Sequence, residues 1–415
     1  MRSRRVCVFM CVGLVWLFCL SAEAKDESGN KTIVVNCDKG DSINEALEER
    51  ADKLIIKIRG TCQEDVVIER DDVTLRGVGP DATVVAEYGP AIWVVAVSRI
   101  TLENLTVSGG YGPGPYASGI FLEGSSGVFV SNVTAKENKY GLRSQGSSLT
   151  VEDSNFVRNI MGLHLNSGSS VVFDGEEINI HENSRVGLVV GPGSALGTRW
   201  SPGPRVLVND NNIGIQFQLN SEAWFGGPLL EVKRNQTGII VSGSSSVDVS
   251  WTNLEATQNG CAISVSGGAV LSASGIVSEN QLGLRVESGQ LGFSGLLADN
   301  DNGAYAGRGG LIHLGGAEVT GSSDHGVVVH GAIAVIQDSK IQENAAGDVD
   351  LSFGARVSFE GANDVGNIVC DDTVLVEGDV SCPAAKSLTS RRIQIERVPT
   401  DRLRIDHQMT PRFIP

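Results

Sequence analysis

Asn159-Ile160-Met161-Gly162-Leu163-His164-Leu165-Asn166-Ser167-Gly168-Ser169-Ser170-Val171-Val172-Phe173 carries the pattern on which the fold turns. Strand side chains alternate between two faces, so Leu163 and Leu165 share one face and His164 takes the other. Asn166-Ser167-Gly168-Ser169 is small and polar, as a tight turn requires. Val171 and Phe173 then return to the apolar side. Outward from this stretch the same phrase recurs. Asn-x-x-Gly before alternating apolar residues stands at Asn138–Gly141, Asn211–Gly214, Asn235–Gly238, Asn280–Gly283, Asn300–Gly303, Asn344–Gly347 and Asn363–Gly366. Asn183–Gly187 is one residue longer, and Asn259–Ala262 and Ser323–Gly326 are variants. Between Gly119 and Gly366 these marks fall about 22 residues apart, a period that signals stacked repeats.

One such segment cannot bury its apolar face alone, whereas a stack makes a continuous core. The spacing predicts an all-β, single-stranded right-handed parallel β-helix of some 13 coils, a rod roughly 60 Å long at ~4.8 Å per strand. Asparagines repeated at one corner are placed to hydrogen-bond along the axis. A leucine-rich repeat would need its consensus leucine spacing, and a left-handed β-helix a six-residue period. The sequence has neither, and its uneven coil lengths suit the right-handed form.

The ends read differently. Arg2, Arg4 and Arg5, the apolar run Val6–Leu20 and Ala22-Glu23-Ala24 form a signal-peptide pattern over 1–24, with secreted or periplasmic destination. Ser42 and Glu45 resemble a capping box, opening a short helix that would plug the N-terminal end of the core. The helix-plus-coil unit is expected over 25–383, with a weakly patterned, charged tail over 384–415. Export permits disulfides, and Cys37–Cys62 and Cys370–Cys382 would pin the two ends, leaving Cys261 as a buried thiol.

Net charge is −16, so phosphate backbones would be repelled and nucleic acid is not an expected partner. Uronic-acid polymers would be repelled too, unless a local basic patch or a cation intervenes.

Ile58-Arg59-Gly60-Thr61-Cys62-Gln63-Glu64-Asp65-Val66-Val67-Ile68, then Val73-Thr74-Leu75-Arg76-Gly77, resembles the opening coils of secreted bacterial parallel β-helix repeat proteins of the pectate-lyase-like superfamily. The resemblance spans roughly residues 31–383. It implies the fold, and a substrate lying along the solvent face of one sheet. It does not choose an activity, because that scaffold hosts lyases, hydrolases, epimerases, tailspikes and adhesins.

The sheet after the Asn-x-x-Gly turn is the expected face. Phe121, Arg143 and His164 should point outward on adjacent coils, followed by Glu123, Gln145 and Asn166, with Phe121, Gln145 and Asn166 expected to contact the substrate. Arg143 suits a uronate carboxylate, His164 a general base, and Glu123 a residue orienting either one. Tyr111 and Tyr116, in an inserted loop, and Trp200 and Trp224, in two long turns expected on the opposite edge, are candidates to stack on sugar rings. Glycoside hydrolysis needs two carboxylates flanking one bond, and this face offers only scattered ones. Asp299-Asn300-Asp301-Asn302 and Asn209-Asp210-Asn211-Asn212 fall on the repeat's asparagine turn, which explains them better than a metal does. No metal site or cofactor is therefore expected, calcium being the one ion this scaffold would admit. Two functions remain. One is binding or modifying an extracellular polysaccharide, by lyase or epimerase chemistry if catalytic. The other is a structural or adhesive surface role without catalysis.

Overall fold

The protein is described by a computed structural model covering residues 29–112, 116–199, 203–378 and 380–382. The expected signal peptide, the tail and Trp200 lie outside the described residues. The chain folds as the expected all-β solenoid, a parallel β-helix, and every strand pairing is with the next coil in the same direction. One wall is a sheet of 14 strands running from Val66–Ile68 to Ile368–Cys370. At ~4.8 Å per strand it is about 60 Å long. The remaining strands form two further walls that join where single long strands, Ser246–Thr257, Val270–Ser278, Gln290–Ala298 and Leu311–Thr320, turn the corner without a break. At that corner Gly275 and Gly295 have φ of +146° and +120°, and a Cβ on either would meet a backbone oxygen of the preceding coil at 2.2–2.3 Å. Only glycine fits there.

The quoted stretch behaves as its alternation requires. Leu163, Leu165 and Phe173 are fully buried, and Val171 nearly so. The repeat's asparagines make a buried ladder: Asn138, Asn159, Asn183, Asn211, Asn235, Asn259, Asn280 and Asn300 each stand one coil above the last. Each Nδ2 donates to the next Oδ1 at 2.9–3.2 Å. The same Oδ1 also accepts the backbone N–H of the asparagine below, as in Asn211 N–H to Asn235 at 2.9 Å. Nδ2 spends its second proton on a carbonyl, as Asn235 does on Val208 at 3.0 Å. Each buried amide is thus satisfied by the coils on either side of it, which is the condition for burying it at all. A shorter serine column follows the same logic at another corner, with Ser125 N–H on Ser147 at 3.0 Å and Ser169 N–H on Ser194 at 3.2 Å.

At the N-terminal end a helix, Ile43–Leu47, covers the core with Ile43 and Ala46 buried. Ser42 accepts Glu45 N–H as a cap should. The carboxylate that takes the other free amides comes from the following coil: Glu64 accepts Ile43 N–H at 2.7 Å and Asn44 N–H at 3.2 Å. Cys37 is joined to Cys62 and Cys370 to Cys382. Cys261 is free, and burial pushes its thiol up to about 11, so it is inert near neutral pH.

Candidate functional site on the 14-stranded wall

Three consecutive strands of the wall, Ser118–Glu123, Tyr140–Gln145 and Met161–Asn166, bury Ile120, Leu122, Leu142, Leu163 and Leu165 on one side. The period of two then turns the intervening residues outward. Phe121 lies opposite Arg143, and Arg143 opposite His164; Glu123, Gln145 and Asn166 form the next row. Residues 21 and 22 apart in the chain are neighbours on a shared face.

That face carries a cluster of rings. Trp93, on the strand Ile92–Val95, stands in register with Phe121, their ring centroids 6.0 Å apart. Tyr116 closes over both, 5.6 Å from Trp93 and 5.5 Å from Phe121. Phe121 was expected to meet a ligand, but it is fully covered. It is the floor of the cluster, because the Tyr116 and Trp93 rings pack over it. Tyr116 itself stays 46% exposed and Tyr111 53%. Both rings therefore remain open to solvent, Tyr116 as the upper face of a stack.

The cations sit on rings. The Arg143 guanidinium lies 5.5 Å from the Phe121 centroid and 5.2 Å from that of Tyr140, and Lys139 Nζ lies 5.7 Å from Tyr140. Such contacts hold a flat guanidinium in place against the rings. His164 also stacks on Tyr140, with centroids 5.3 Å apart and planes 20° from parallel. Its Nδ1 is buried with no hydrogen-bond partner, as is Trp93 Nε1. Burial first, then the charge of Arg143, pulls the imidazole down to about 4. At neutral pH the ring is uncharged and, in the free protein, a weak base.

Trp93, Lys139 and Tyr140 were not among the expected site residues. The signal for Trp93 is its alternation in Ala91-Ile92-Trp93-Val94, one coil below Phe121. The signal for Tyr140 is its place two residues after the asparagine of the repeat.

Trp224 is elsewhere. The long turns expected to frame the patch contain strands, Ala195–Thr198 and Glu222–Trp224, which belong to a different wall. Trp224 lies in register with Gly197 and Asp248, and its ring packs against Gly226. It shares no face with Arg143 and His164, and so is removed from their patch.

Asn300 and Asn211 of the two aspartate-rich turns are rungs of the ladder. Among the described residues, the one three-ligand grouping of His, Cys, Asp or Glu is Cys37, Cys62 and Glu64. Its two thiols are spent on the disulfide.

Residues 56–199 match the family model described as Right handed beta helix region, and the solenoid has that architecture. No curated protein matches the chain by sequence. Among solved structures the chain is similar to the A-module of the mannuronan C-5 epimerase AlgE6 from Azotobacter vinelandii. They share 13% identity over 81% of this chain and 94% of that one, with a TM-score of 0.34. It is similar to an alginate lyase from Paenibacillus sp., at 14% identity over 80% and 99% of the two chains and a TM-score of 0.35. It is similar to the catalytic unit of a GH87 α-1,3-glucanase from Streptomyces thermodiastaticus, at 14% identity over 86% and 71% and a TM-score of 0.44.

Proposed function

We propose that this protein is secreted and that it binds an extracellular polysaccharide carrying acidic sugars along the 14-stranded wall. The observation that carries the reading is the juxtaposition of Arg143, held on two aromatic rings, with the neutral imidazole of His164 one coil away. In a chain of net charge −16, Lys139 and Arg143 make this a local cationic spot. An acidic sugar would otherwise be repelled from such a surface. Tyr116 and Tyr111 supply exposed rings beside it. The two disulfides support export. No helix of the described residues is long and apolar enough to cross a membrane.

The chemistry such a pair can do is removal of the proton next to a uronate carboxylate. Arg143 would neutralise that carboxylate and stabilise the carbanion formed. His164 would take the proton on its other ring nitrogen, Nε2, because Nδ1 is covered, and the incoming negative charge would raise its basicity. Elimination of the glycosidic oxygen then gives a lyase, and reprotonation from the opposite face an epimerase. A second reading, binding without turnover, is favoured by the compactness of the spot, where Phe121 is covered and the free imidazole is a weak base.

The test incubates the protein with alginate, pectate and glycosaminoglycans and follows unsaturated-product absorbance at several calcium concentrations, with sugar epimer ratios read in parallel. Turnover that falls by at least about 100-fold in Arg143→Ala and in His164→Ala supports the catalytic assignment. Turnover equal to wild type in both variants removes it. Binding without turnover selects the second reading.

A further inference from the structure

Farther along the same wall stands a second cluster, five strand steps or about 24 Å beyond His164. Arg285 lies in register with Tyr305, one coil above it, and Glu287 faces both Arg285 at 3.1 Å and Arg308 at 3.7 Å. Glu287 offsets one of the two guanidiniums and Asp350 faces His330 at 3.6 Å, so the positive end of the cluster is Arg308, whose side chain is 79% exposed. Above them His330 is flanked edge-on by Tyr305 at 5.7 Å and by Phe353 at 5.5 Å.

Phe353 is the telling residue. It is 76% exposed. It occupies the turn that follows each strand of this wall, a left-handed position at φ +58°. Several lower coils fill that turn with small residues such as Gly124, Gly146, Ser167, Gly243 and Ser288, while Leu219 and Arg308 occupy it with long side chains that also stand out from the wall. A bulky residue there is strained. The Asp371 carboxylate nonetheless holds the Phe353 N–H in place at 2.8 Å. An aromatic ring exposed on a strained, anchored turn costs stability that folding alone does not repay.

We infer that this cluster is a second contact for the same acidic polysaccharide, taken up farther along one polymer chain. The inference rests on the function proposed for the Arg143 patch. It goes beyond it by making the wall bivalent. Between the two clusters the outward row is Val189, Gln216, Ile240 and Ser264, with no side chain tall enough to block a chain lying along the axis. The arginines meet acid groups, and Phe353 with Tyr305 meets the apolar faces of the rings. Once the first patch is occupied, the second binding event is intramolecular, so affinity rises with polymer length by more than added charge explains.

The experiment titrates the full chain with size-fractionated alginate and pectate, from short oligomers to chains longer than the gap. The proteins compared are wild type, Arg143→Ala, and the double variant Phe353→Ala/Arg308→Ala, each checked for wild-type circular dichroism. The expected result is an affinity step of at least about 10-fold once the oligomer can span the gap. The double variant removes that step and leaves short oligomers bound as before, while Arg143→Ala weakens short and long chains alike. A step that persists in the double variant, or no step at all, overturns the second contact while leaving the first patch standing. Failure of every oligomer to bind overturns both readings. Should the double variant misfold, Arg308→Gln alone is titrated, with the same two outcomes.

Discussion

His164 is the residue in which burial, charge and chemistry meet. Its depressed pKa means that folding favours the uncharged ring. That contribution is fully present above the unfolded value of 6.5 and is lost as pH falls through about 4. The expected outcome is a native state that loses about 3 kcal/mol from this group between those limits. His164→Gln, which does not titrate, should show a flatter urea midpoint between pH 7 and pH 4. A variant whose midpoint falls as steeply as wild type would assign the acid sensitivity to other groups. The position of this ring beside Arg143 was legible from the alternation of Gly162-Leu163-His164-Leu165 alone. Its basicity was not, because that depends on Tyr140 packing over it and on the neighbouring coil's charge. The fate of Phe121 was hidden for the same reason. Its direction follows from the period of two, but its cover comes from Tyr116 and Trp93, which local alternation cannot place.

At the scale of the element, the asparagine ladder is what makes the coils register. Removing one rung strands its neighbours: without Asn235, the backbone N–H and the Nδ2 of Asn211 both lose their acceptor inside the core. Asn235→Ala is expected to cost on the order of 3 kcal/mol, read as a lowered urea midpoint. A loss below about 0.5 kcal/mol would show that water or a shifted backbone replaces the rung. The ladder was readable because asparagine recurs at a fixed place before glycine. The N-terminal helix was readable from Ser42, whose hydroxyl does cap it, yet its other cap, Glu64, comes from the following coil and has no local signature. Trp224 was misplaced because its strand is disguised. In Ala195–Thr198 and Glu222–Trp224 the one large apolar residue at an inward position is Leu196, beside Thr198 and Ala223, so the segments read as long turns.

At the scale of the whole molecule, stacking converts a period of about 22 residues into a flat outer wall on which each column samples every coil. A globular fold would have to assemble a comparable strip from loops. Here the strip is a by-product of registry, and substituting one outward residue changes a single position along it. This is why the acidic chain can display an aromatic and cationic patch without disturbing its core. It is also why the other walls can carry unrelated residues such as Trp224. The central claim is that the ligand lies on the wall of Arg143 and on no other. The measurement that tests it most directly is the affinity of one acidic polysaccharide for Arg143→Ala and Trp224→Ala, titrated side by side against wild type. The account predicts a loss of roughly 10- to 100-fold in the first, the value of a charge-assisted hydrogen bond, and no change in the second. Full affinity in Arg143→Ala with weakened binding in Trp224→Ala would contradict it.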